Sequence, residues 1–180
     1  MKATYMDKIE VTNQQYYDFC IATNNPFPQF WGIKEFRSGT DFFDYPVVGL
    51  SYFEAEWEYA ARGGMIGKNF PFGDQIDSTK VNYGRKNKGI LKVGSFPPNG
   101  FGLYDITGNV WEWTSDFYSA DYYAVSPAEN PKGPERGRFK VIRGGSWHSG
   151  AMCVQTYYRN GLSPSWVDFA VGFRCVKDTK

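Results

Sequence analysis

Gly108-Asn109-Val110-Trp111-Glu112-Trp113 is the stretch that decides the fold. Gly-Asn is turn chemistry, and the Val-Trp-Glu-Trp run behind it has the β-branched and aromatic make-up of a strand. Outward from it, strand-like runs return at Phe139 to Arg143 and Phe173 to Val176. Turn-rich Phe70-Pro71-Phe72-Gly73 and Phe96-Pro97-Pro98-Asn99-Gly100 lie upstream. Nearer the N-terminus the period changes. Thr12 with Gln15 forms a capping-box pattern, and Tyr16, Phe19 and Cys20 recur at helical spacing, which predicts a helix from about Asn13 to Ala22. Ser51 with Glu54 repeats the box, predicting a second helix from Tyr52 to Arg62 that Gly63-Gly64 stops. Between them, Phe27 to Tyr45 reads as an ordered aromatic loop and Pro46 to Leu50 as a short buried strand. Helices first and a Gly/Trp-rich strand region afterwards make an α+β domain, with a small antiparallel sheet and extensive ordered loops.

At 180 residues the chain has the size of one domain with a real core, taken as 1–180. Its charged residues cancel to a net +1, so no long-range field draws it to nucleic acid or into an anionic membrane. Neither class is expected as a partner. The first ten residues carry no apolar run of signal-peptide type, and no segment approaches transmembrane length. As given, the chain reads as cytoplasmic, with display on a virion or cell surface left open. Cys20, Cys153 and Cys175 are too few and too scattered for a disulfide framework or a CxxC zinc site.

Four segments in order carry a family resemblance: Glu56-Trp57-Glu58-Tyr59-Ala60-Ala61-Arg62-Gly63-Gly64, Asn99-Gly100-Phe101-Gly102-Leu103-Tyr104-Asp105, Gly108 to Trp113, and Arg143-Gly144-Gly145-Ser146-Trp147. With Gly172-Phe173-Arg174 they resemble the formylglycine-generating-enzyme, or sulfatase-modifying-factor, superfamily over nearly the whole chain. The resemblance implies a C-type-lectin-like fold. It also implies a choice among copper-dependent oxidases of a substrate cysteine, iron-dependent sulfoxide synthases and non-catalytic binding domains, among them the variable proteins of diversity-generating retroelements. Two departures imply a shortened fold. The usual second helix is fused into the next, since Val48 to Phe53 runs straight into Glu54-Ala55-Glu56-Trp57, and the usual N-terminal strand is missing.

One calcium is implied, held by the side chains of Asp105 and Glu112 and the carbonyls of Gly108 and Val110; the plain alternative is a turn capped by Asp105. A second calcium is not expected, because Arg85 or a neighbouring Lys stands where an acidic ligand belongs after Asn82-Tyr83. Copper is not expected either. The family's thiol pair falls on Ser149 with Val154 or Ala151, and Cys153 fits neither register. Iron needs three histidines, and His148 is the sole one. Cys175 reads as reduced and buried, Cys20 as core, and Arg143, Arg159 and Arg174 as structural arginines packed on rings and loops.

Trp147 to Val171 mixes rigid aromatics with Ser, Gly and Ala, the composition of a paratope-like surface. Mapped on the retroelement variable proteins, its candidate ligand-binding positions are His148, Ser149, Ala151, Met152, Val154, Thr156, Tyr157, Ser163, Ser165, Trp166, Asp168 and Phe169. The expected partner is a protein or cell-surface ligand. The alternative function is a copper-dependent oxidase of formylglycine-generating type.

Overall fold

The computed structural model describes residues 4–50, 57–65, 67–127 and 133–178. The chain opens with strand β1 (Thr4–Met6) and helix α1 (Asn13–Thr23). Thr12 and Gln15 close the capping box as the sequence predicts, and Asn24 ends the helix in the left-handed region at φ 56°. Helix α2 (Glu58–Arg62) is the C-terminal part of the second predicted helix, whose start lies outside the described residues. Gly63 ends α2 against Gly100. A Cβ on Gly100 would sit 2.1 Å from the Gly63 carbonyl oxygen, so this crossing of two loops tolerates only glycine.

Strands β2 (Trp111–Phe117), β3 (Lys140–Arg143), β4 (Asn160–Leu162) and β5 (Val171–Gly172) form a sheet in the order β4-β3-β2-β5. A short helix α3 (Tyr122–Val125) lies between β2 and β3, and β6 (Val176–Asp178) pairs with β1. The sheet is mixed rather than antiparallel throughout, because β5 runs parallel to β2. Strand β1 is held by its pairing with β6, at the other end of the described residues. One further expectation is corrected. Pro46 to Leu50 is not a strand. Thr12 bridges Pro46, the Val47 amide bonds to Val11 O and the Gly49 amide to Asp168 O, so its backbone is satisfied by different neighbours rather than one ladder.

The run expected as one strand at Phe173 to Val176 falls in the break between β5 and β6, and only Val176 of it lies in a strand. Arg174 is the reason: its side chain turns wholly inward, and the flanking carbonyls of Phe173 and Cys175 accept from Val11 and Asp7 instead. Cys175 then faces outward and is exposed, contrary to the buried reading, while Cys20 is core as expected; all three cysteines are free thiols.

Much of the interior comes from irregular chain. Trp111, Trp113, Ile142 and Val171 pack on the sheet, but Phe70, Val81, Tyr83 and Val154 form a cluster outside the sheet and the α-helices. Trp147 joins Val48, Ile90 and Val110 in another.

Candidate ligand surface and metal turn

Segment 147–171 is pinned at both ends and in its middle. The Trp147 amide bonds to Asn109 O, Arg143 reaches across from β3 to donate to the carbonyls of Thr156, Tyr157 and Tyr158, and the Gly49 and Trp111 amides bond to Asp168 O and Ala170 O. Arg143 also lies over the Trp57 ring at 5.1 Å, and Arg159 over Tyr118 at 5.7 Å, the structural roles expected of them. Between these anchors the candidate positions separate into three groups.

Met152, Tyr157 and Trp166 are exposed at 63%, 41% and 58%, and Ala151 and Ser165 are also at the surface. His148, Ser163, Asp168 and Phe169 are half-buried. Phe169 stacks on Phe36 at 5.0 Å and on His148 at 5.4 Å, so its ring is already engaged within the domain. Ser149, Val154 and Thr156 are buried, which removes them from the ligand-binding set. Each has an internal task. The Ser149 hydroxyl meets that of Ser146 at 2.9 Å, Val154 fills the loop cluster, and the Thr156 hydroxyl donates to Lys68 O and Asn69 O. In the one-turn 3₁₀ helix Ala151–Val154, Ala151 and Met152 are exposed and Val154 is buried.

The second candidate, the 105–112 turn, sits over a buried charge cluster that the sequence did not reveal. Glu10, Asp105, Glu112 and Arg174 are all buried together. Glu112 is saturated by the guanidinium, with Arg174 Nη2 at 2.5 Å from Oε1 and Nε at 2.9 Å from Oε2, and Trp57 Nε1 adds a bond of 2.6 Å. Arg174 also donates to the carbonyls of Asp7 and Tyr104. Burial opposes its charge, but the charge and hydrogen bonds of Glu112, with Glu10 and Asp105 adding to them, together outweigh burial and raise its pKa. Burial pushes the Asp105 carboxyl to about 6 against a hydrogen bond from the Gly94 amide, and drives Glu10 well above the carboxylate range, with the Asp105 charge adding to it. Glu10 Oε1 accepts from Asn109, within the turn, and Glu10 Oε2 has no hydrogen-bond partner among the described residues.

At three of the four implied positions this turn fits an oxygen-ligated cation. Asp105 is acidic and nearly buried. Among the described residues, no donor reaches the carbonyls of Gly108 or Val110, although both residues are buried. Glu112 is the misfit, because its oxygens belong to Arg174.

The sulfatase-modifying factor enzyme 1-like domain matches residues 52–179 of the chain. The chain belongs to this family. The serine/threonine-protein kinase Pkn1 of Chlamydia trachomatis serovar L2 is 34% identical over 98% of this chain and 33% of that protein. The formylglycine-generating enzyme of Streptomyces coelicolor is 39% identical over 69% of this chain and 45% of that enzyme. The chain thus spans less than half the length of these curated relatives. Treponema denticola variable protein 1 shares the fold, with a TM-score of 0.74 at 19% identity over 98% of this chain and 84% of that one. The sulfatase-modifying-factor family includes catalytic members, yet this member has no cysteine at the thiol-pair positions. Ser149, Val154 and Ala151 stand there, and Cys153 lies half-buried beside Tyr158.

Proposed function

We propose that this domain is a non-catalytic ligand-binding module of the sulfatase-modifying-factor family, of the same kind as the retroelement variable proteins. One observation carries the reading. A backbone held by Arg143 and the Asn109 carbonyl carries Met152, Tyr157 and Trp166, three large side chains of one segment, at the surface. Rigid rings on a fixed backbone contribute contact area with little ordering cost, which favours binding a protein or cell-surface ligand. Incubated with copper, oxygen and a sulfatase peptide containing its target cysteine, the domain is expected to leave the peptide mass unchanged. Appearance of the formylglycine mass would replace this reading with the oxidase one.

A single calcium is the proposed support for the 105–112 turn, held by the Asp105 side chain and the Gly108 and Val110 carbonyls. Bound there, it would offset the excess of buried carboxylates over the one guanidinium. Since a ligand specific to the native state adds about 2.7 kcal/mol at a hundredfold excess over its Kd, chelation is expected to lower the melting temperature by several degrees. Equal melting of wild type and Asp105→Ala, each with and without chelator, would remove the ion from the site.

A further inference from the structure

The loop after Tyr83 lies outside the surface described so far, yet it is bonded to that surface's first residues. The Gly84 amide donates to Ser149 O at 2.9 Å and the Arg85 amide to Trp147 O at 2.7 Å. From Ser78 to Tyr104 the chain carries Lys80, Arg85, Lys86, Lys88 and Lys92 and no Asp or Glu. Lys80 pairs with Asp77 and Lys92 with Asp44. Arg85, Lys86 and Lys88 are exposed and, among the described residues, no carboxylate pairs with them. Lys86 is held over the Tyr83 ring at 4.6 Å, and the Asn87 side chain ties the loop to Asn82. Three cations therefore lie on a loop anchored to the backbone of Trp147 and Ser149. Arg85 faces His148, whose pKa burial already lowers; Asp168 pulls the other way, and Arg85 adds to the lowering.

We propose, on the reading of segment 147–171 as a ligand surface, that Gly84 to Lys88 is the cationic edge of that surface and that its occupant is an acidic segment of a protein partner. Charge complementarity sets the chemistry: on a chain of net charge +1, an unpaired patch of three cations selects local negative charge. Nucleic acid is the poorer fit. It rewards a long basic stripe, whereas here the cations are confined to one short loop.

A fluorescein-labelled Glu–Tyr copolymer peptide serves as the probe, with fluorescence anisotropy measured at low and high salt. A single-stranded oligonucleotide and phosphatidylserine vesicles run in parallel. Wild type is expected to bind the copolymer in a salt-sensitive way, and the Arg85→Ser/Lys88→Ser double variant to bind roughly tenfold more weakly with an unchanged melting temperature. No binding of the copolymer by wild type, equal binding by the double variant, or tighter binding of the oligonucleotide or vesicles would each overturn the proposal. Trp166→Ala separates the two readings. If it keeps copolymer affinity while the double variant loses it, the cationic edge stands and the aromatic surface falls; if it loses affinity while the double variant keeps it, the aromatic surface stands and the cationic edge falls.

Discussion

Arg174→Ala is expected to destabilise the domain by about 3–5 kcal/mol, read as a lower denaturant midpoint, because it removes the one cation from a buried cluster of three carboxylates. The geometry accounts for the size. Arg174 donates to both oxygens of Glu112 and to two main-chain carbonyls that link the N-terminal segment to the 99–105 loop. Arg174→Lys keeps a charge but not the planar fork, and is expected to recover only part of the loss. A midpoint for Arg174→Ala equal to wild type would mean that the cluster is held by something other than the guanidinium.

Trp113→Ala is expected to cost about 3–5 kcal/mol, whereas Trp166→Ala and Tyr157→Ala should stay within about 0.5 kcal/mol of wild type. All three residues are large rings, so the contrast isolates burial. Trp113 is 1% exposed and bonded to Leu50 O, while Trp166 is 58% exposed. Melting curves decide this before any partner is found. Collapse of the Trp166→Ala and Tyr157→Ala variants would return these rings to the core and leave the domain without an aromatic surface. Normal melting leaves them available as anchors, whose loss commonly weakens binding by about 2 kcal/mol or more.

The first helix was legible because its signals are local. A capping box and 3.6-residue spacing act within one turn, and α1 begins where Thr12 and Gln15 place it. The run ending in Trp113 was equally readable from its composition, and the family motifs gave the lectin-like fold that the mixed sheet and surrounding loops display. Local signals failed where backbone groups are satisfied by distant chain. Pro46 to Leu50 has the apolar composition of a strand but bonds to several neighbours, and β1 is held by a partner at the other end of the described residues.

The candidate surface was read only in part. Composition and motif spacing located segment 147–171 and its exposed rings, but position by position they placed Val154 and Thr156 beside Met152 and Tyr157. Only the turn at 151–154 and the hydrogen bonds of Thr156 show which side chains face inward. The Glu10 carboxylate was missed altogether. In the sequence it is one acid among mixed polar residues, and nothing local marks it as buried beside Asn109. What the sequence alone determined about this protein is its family, the start of its first helix and the residues missing from the thiol pair, since each is written in neighbouring letters. What only the tertiary structure decided is which charges share the interior with Arg174 and which aromatics remain in water, because burial depends on segments that meet across the whole chain.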